Sequence, residues 1–226
     1  MVTDHSKTYK LTDLRNVVHV MRLKSILSTV DKQIKKPVIT YADFGCSNGY
    51  ITSQIAERLA VKNAFGFDYS DNVLVGSELH PEINFQRFNL NVVSPASSQY
   101  DLVSCFETLE HVGNMESAVQ NVIARRAPDG YLLITVPIEI GWIGFIKYGL
   151  KRFLFRYDLP LNCTDRQYAS ALLKGERIGK FRPFAEGYGT HFGFDYRDVD
   201  DLLDRFLGRT YRAWNTGSSR FYLVGA

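Results

Sequence analysis

The sequence predicts an α/β fold built on a mostly parallel sheet, and three observations carry that expectation. Residues 38–44 form a β-branched and aromatic run that passes through Asp43 into a glycine loop, Gly45-Cys46-Ser47-Asn48-Gly49, and helix periodicity resumes at once with Ile51, Ile55 and Leu59. A second apolar run, residues 64–67, closes on another acid, Asp68, roughly 20 residues beyond Gly45. Strand-like and helix-periodic stretches then alternate as far as Val136, the pattern of strands that need crossover helices to run parallel.

The elements follow in order. Leu14, Val17, Val18 and Met21, then Leu23, Ile26, Leu27 and Val30, are two sets at helical spacing, so a helix over residues 11–30 is either buried on two sides or bent between Met21 and Ser25. Arg15, His19 and Arg22 share one face of it, as a solvated face or within reach of an acidic acceptor. After Asp68, Ser70 is placed to cap a short helix ending before Pro81, and Ile83, Phe85 and Arg87 alternate as a third strand. Residues 100–106 are the fourth strand. Asn114 caps a helix carrying Ala118, Val119, Val122 and Ile123, and Pro128-Asp129-Gly130 turns into a fifth strand over 131–136. A helix over 196–206 buries Val199, Leu202, Leu203 and Phe206. Two strands at 210–214 and 220–224, joined by a Thr-Gly-Ser-Ser turn, must be antiparallel.

Composition sets the outer limits. With 226 residues, 45% of them hydrophobic and 23% charged, the chain suits one domain with one substantial core. A net charge of +3 is too small to argue for nucleic acid. Cys46, Cys105 and Cys163 lack the spacing of a zinc site or disulfide framework, which fits a reduced, cytoplasmic setting. The first residues lack a signal peptide's apolar stretch, and no run has the ~20 apolar residues that span a bilayer.

The loop after the first strand discriminates among ligands. A dinucleotide fingerprint needs three glycines where this chain has Gly45, Ser47 and Tyr50, and a carboxylate at Asp43 repels a pyrophosphate while it attracts an ammonium group. The same loop matches the G-x-S-x-G elbow of serine hydrolases, with Ser47 as nucleophile. That elbow follows several strands in such enzymes, and here only about one helix comes before the loop's own strand. An adenosyl ligand bearing an ammonium group suits both acids, Asp43 beside the loop and Asp68 at the ribose.

On these residues the chain resembles the class I S-adenosylmethionine-dependent methyltransferases, whose first motif is matched by Asp43, Gly45 and Gly49, with Ser47 where the family commonly has glycine. The resemblance covers about residues 35–137 and 191–226. It implies a Rossmann-like, seven-stranded, mostly parallel sheet with an antiparallel last strand, helices on both faces, and an insertion between strand 5 and the last helix. The single domain then divides into an N-terminal helix (1–34), a cofactor-binding core (35–137), an acceptor cap (138–190) and a C-terminal helix and hairpin (191–226). S-adenosylmethionine is implied as the cofactor, held by Asp43, Gly45, Cys46, Ser47, Gly49 and Tyr50 in the loop and by Asp68 with Tyr69 and Ser70 at the ribose. Asn89 and Leu90 fall beside the adenine, though Asn89 is equally suited to an ordinary turn; Phe106 and Glu107 fall near the reactive methyl.

The catalytic candidates are His191, where the chain returns from the cap, His111 and Glu107. His111 suits a general base or a histidine packed under its loop and bonded to backbone. The insertion is rich in aromatics, and residues 140–157 mix Ile143, Ile146, Leu150 and Leu154 with Lys147, Lys151, Arg152 and Arg156, as a membrane-surface helix, a lid or a dimer face would. The resemblance implies a small-molecule O or N acceptor. The insertion with His191 to Asp195 is similar to bacterial enzymes that methylate sugars of polysaccharides or related metabolites. The alternative from another class is a partner subunit that binds the cofactor and performs no chemistry.

Overall fold

The computed structural model describes Tyr9 and residues 16–154 and 162–225. Seven strands form one sheet: β1 (Thr40–Phe44), β2 (Asn63–Asp68), β3 (Ile83–Arg87), β4 (Tyr100–Phe106), β5 (Arg126–Pro137), β6 (Tyr211–Thr216) and β7 (Ser219–Val224). Their order is β3-β2-β1-β4-β5-β7-β6, with β7 antiparallel to both neighbours and the pairings from β3 to β5 all parallel. Side chains alternate across the sheet and both faces are covered, which explains why β1, β4 and β5 read as near-continuous apolar runs. Ala42, Phe44, Val103, Cys105, Leu132 and Ile134 pack on one face with helices α4 (Met115–Ala124) and α7 (Tyr196–Leu207). Tyr41, Leu102 and Leu133 pack on the other with α1 (Val17–Gln33) and α2 (Tyr50–Arg58).

Three local expectations are corrected. Helix α1 is one continuous element that buries Val20, Leu23, Ile26 and Val30, while Val18 and Met21 of the first apolar set are exposed; Leu14 and Arg15 lie outside the described residues. Pro128-Asp129-Gly130 lies inside β5 as an irregularity between the Tyr100–Arg126 and Leu102–Tyr131 pairs, not as a turn before it. Arg126 Nη1 donates to the Pro128 and Gly130 carbonyls, which holds the extra residues against β4. Ser70 does not cap α3 (Asn72–Leu79), because its hydroxyl donates to Asp68 Oδ1 at 2.6 Å. Asn114 does cap α4, its Oδ1 accepting from Ser117 N.

Within the insertion, α5 (Gly141–Gly149) continues as a wider turn through Leu150–Leu154 and packs on α6 (Asp165–Lys174), and Tyr148, Tyr168, Ala171, Leu172 and Ile178 form a small core of their own. Arg156 and Tyr157 lie outside the described residues. No helix among the described residues is long and apolar enough to cross a membrane.

Candidate active site

At the carboxyl ends of β1 to β4 lies a cavity of about 350 Å³, lined by Gly45, Ser47, Asp68, Tyr69, Ser70, Asn72, Phe88, Leu90, Glu107, Thr108, His111 and Tyr188. The first loop curls tightly to make its floor. Gly45 has φ +82°, and a Cβ there would sit 2.0 Å from Thr108 Oγ1; Gly49, at φ +77°, opens α2 with the Phe85 ring where its own Cβ would point. Ser47 takes φ +51° although it is not glycine, and is held there from two sides: its N–H donates to Asp68 Oδ2 at 2.8 Å, and its Oγ accepts from Asn72 Nδ2. A serine whose oxygen is engaged by an amide is not placed as a hydrolase nucleophile.

Asp68 ends β2 and reaches into the cavity, where Oδ1 also accepts from Ser70 N and Oγ. Asp43 behaves differently. It is 2% exposed, accepts Ser104 Oγ and Thr52 Oγ1 at 2.6 Å each, and does not line the cavity, so it ties β1 to β4 and α2 instead of meeting an ammonium group directly. Burial raises its pKa to about 6, with the two hydroxyl bonds opposing. Cys46, Gly49, Tyr50, Asn89, Phe106 and His191 are likewise absent from the lining. Phe106 is buried in the core, Tyr50 stacks on Tyr9, and Asn89 Oδ1 accepts from Asn91 N, the side-chain turn of the second alternative.

At the end of β4, Glu107 has φ +48° and pairs with Arg22 of α1 at 2.9 Å; the two side chains are 13% and 15% exposed. Glu110, 3% exposed, lies on the short turn Leu109–His111. Burial raises both acids, but Arg22 opposes it at Glu107 whereas the Glu107 charge adds to it at Glu110. His111 Nδ1 lies 2.7 Å from the Gly189 carbonyl and must donate to it, which leaves the lone pair on Nε2. Its side chain is 44% exposed and lines the cavity, and burial lowers its pKa, keeping it neutral.

His191 does not have this freedom. Its Nε2 accepts from Lys151 Nζ, and burial, then the Lys151 charge, pushes its pKa down to about 4. Its ring stands 5.9 Å from that of His111, edge to face. Of the two histidines, His111 lines the cavity, while His191 lies behind it, bonded to Lys151. Arg22, one of the residues expected on a solvated face or within reach of an acidic acceptor, finds that acceptor in Glu107, while sequence reasoning missed Thr108 and Phe88. Tyr188 comes from the insertion, stacks on Tyr69 at 4.7 Å and accepts from Leu90 N, which closes that end of the cavity.

The family profile described as "Methyltransferase domain" matches residues 19–157, more than half of the chain. The chain belongs to that family. The methyltransferase domain is 26% identical over 125 residues to the ubiquinone biosynthesis O-methyltransferase of Coxiella burnetii, covering 53% of this chain and 51% of that protein. It is 26% identical over 180 residues to the enzyme of the same name from Nitrosomonas europaea, covering 77% and 63%. The chain thus spans from about half to 63% of the length of these curated relatives. Among solved structures it resembles the plantazolicin methyltransferase BpumL, in complex with a triazolic desmethylPZN analog and SAH (TM-score 0.61, 11% identity, 97% of this chain and 89% of that one). The methyltransferase domain of bacterial CtHen1 is also similar (TM-score 0.58, 13% identity, 92% and 100%). At these identities the solved structures speak for the fold alone. Strand order and family match make this a class I S-adenosylmethionine-dependent methyltransferase domain. The cavity fits that cofactor: glycines leave room at Gly45, an acid stands at the end of β2, and Phe88 and Leu90 offer apolar contact to a base.

Proposed function

We propose that the domain transfers a methyl group from S-adenosylmethionine to a hydroxyl oxygen of a small polar molecule, with His111 Nε2 as the acceptor of the hydroxyl proton. The observation that carries this is the tautomer of His111, fixed by the bond from Nδ1 to the Gly189 carbonyl, in a ring that lines the cavity together with Glu107. Bound S-adenosylmethionine supplies an electrophilic methyl on a sulfonium, and transfer is an in-line displacement. Asp68, with Ser70 beside it, holds the ribose; Tyr69, Tyr188 and Leu90 enclose the base; Glu107 faces the methionine end or the acceptor. His111 removes the proton as the oxygen attacks, a contribution of ~100- to 10,000-fold. The resulting imidazolium would lie 4.0 Å from Glu110 Oε1.

Two things support oxygen and a small molecule. The curated relatives are named O-methyltransferases, and the insertion brings Tyr188 to the wall of the cavity and the Gly189 carbonyl to His111, an arrangement that suits a small acceptor. A sugar of a polysaccharide or a related metabolite is the acceptor we favour. The test is transfer of labelled methyl from S-adenosylmethionine to a panel of monosaccharides, sugar acids, catechols and amines. Methylated hydroxyl compounds support the proposal; methylation of amines alone overturns the oxygen acceptor. Cofactor binding with no transfer to any acceptor would favour the partner-subunit alternative.

A further inference from the structure

Tyr188 lines the cavity from the insertion, and both its ring and its hydroxyl engage groups that a cofactor would use. The ring lies on Tyr69, with centroids 4.7 Å apart and planes 21° from parallel. The hydroxyl accepts from Leu90 N at 2.9 Å and donates to Asn89 Oδ1 at 3.3 Å. The segment that carries those two groups is tied down independently. Asn121 Nδ2 donates to the Leu90 and Val92 carbonyls, and Asn89 Oδ1 also accepts from Asn91 N. With the ribose on Asp68, the base joined to it falls on the next residue, Tyr69, at the end of the cavity lined by Phe88 and Leu90. Adenine brings a flat ring that stacks, and an edge on which a ring-nitrogen acceptor stands beside the amino donor. Tyrosine brings the same combination, a flat ring and one hydroxyl that both accepts and donates.

We infer that Tyr188 holds the place of the cofactor's adenine, covering the Tyr69 face and filling the Leu90 and Asn89 bonds until S-adenosylmethionine displaces it. The inference rests on the ribose placement at Asp68 and is independent of the methyl acceptor. The movement it requires is confined to one side chain. On either side of Tyr188 the backbone is fixed, Gly187 O accepting from Gly113 N at 2.8 Å and Gly189 N donating to His111 O at 2.9 Å. A Cβ on Gly187 would meet nothing within 4 Å, so there is open space beside this segment for a turning ring. Rotated about its Cα–Cβ bond, Tyr188 passes from stand-in to wall and encloses the base, while Gly189 keeps its carbonyl on His111. In the free protein the stand-in satisfies a backbone donor and a side-chain acceptor that would otherwise lack protein partners. The cofactor then binds in competition with it, and its apparent affinity is lower than that of the vacated site.

The test is titration calorimetry of Tyr188→Phe beside the parent, with S-adenosylhomocysteine and with adenosine as ligands. Phenylalanine keeps the ring but frees Leu90 N and Asn89 Oδ1, so both ligands should bind roughly threefold or more tightly to the variant, the size of one neutral hydrogen bond. A residue that serves only as a wall gives equal or weaker binding, and that result from a folded variant overturns the inference. A second measurement needs no variant: in the isotope-labelled parent, the proton–proton contact between the Tyr69 and Tyr188 rings should be present in the free protein and vanish when S-adenosylhomocysteine is added. A contact that persists at saturation overturns the inference as well. Failure of the parent to bind either ligand would instead remove the cofactor assignment on which the ribose placement depends.

Discussion

Replacing Asp68 with alanine separates the ribose role from the loop-ordering role of one carboxylate. In the structure it accepts three bonds, from Ser47 N at 2.8 Å, Ser70 N at 2.8 Å and Ser70 Oγ at 2.6 Å. These border the open cavity, so water can replace the lost acceptor, and folding should lose about 1 kcal/mol, roughly 2 to 4 °C in Tm for a chain of this size. Cofactor binding should lose more. A charge-assisted bond to a ribose hydroxyl is worth about 1.5–3 kcal/mol, so affinity should fall at least roughly tenfold and up to about a hundredfold. Asp68→Asn should not rescue it, since its amide would present a donor to the N–H of Ser47 or Ser70. Calorimetry with S-adenosylhomocysteine, paired with thermal melts, measures both quantities. A folded Asp68→Ala protein whose Kd stays within about threefold of the parent would refute the ribose assignment.

Gly45→Ala must force a Cβ against Thr108 at a backbone angle that alanine avoids, so it should lower Tm and weaken S-adenosylhomocysteine binding together; unchanged melts would contradict the tight loop. Arg22→Ala leaves Glu107 buried without its partner and should cost about 3–5 kcal/mol, with much of the loss recovered in Arg22→Ala/Glu107→Gln; denaturant titration of both variants checks this. Burial pushes the Asp43 carboxyl up from the ordinary 3.8 to about 6 in the folded chain, so the folded state holds its proton more tightly. Its favourable contribution is full below about pH 4 and is lost as pH rises to about 6, a change of about 3 kcal/mol. The stability of Asp43→Asn minus that of the parent should therefore rise between pH 4 and pH 7, and a flat difference would show that Asp43 is not buried as described.

Much of the fold was legible because local periodicity and the position of acids after strands are local signals. Asp43, Gly45, Gly49 and Asp68 lie where a strand, a loop and a helix start, and each needs only its neighbours in sequence to be recognised. The limits are physical. Whether Asp43 faces the cavity or the core depends on Ser104, which follows from the pairing of β1 with β4, and no sequence period reports that hydroxyl's position. The Arg22 to Glu107 pair joins α1 to the end of β4, and its geometry exists only after the sheet closes. For the two histidines the decisive facts were their partners. Gly189 arrives from the insertion to fix His111, and Lys151 arrives from α5's continuation to occupy His191, partners that position in the sequence does not report. Pro128-Asp129-Gly130 has turn chemistry, yet β4 holds it as a bulge, an instance of tertiary pairing overriding a local signal.

The most direct test of the account is the pH dependence of methyl transfer by His111→Gln, beside His191→Gln, with the acceptor that the panel identifies. The account predicts that His111→Gln loses ~100-fold or more in kcat across roughly pH 6 to 9, loses the acid limb set by the imidazole, and still binds S-adenosylhomocysteine, while His191→Gln keeps that limb. A His111→Gln enzyme within about threefold of the parent, with its pH profile intact, would contradict it.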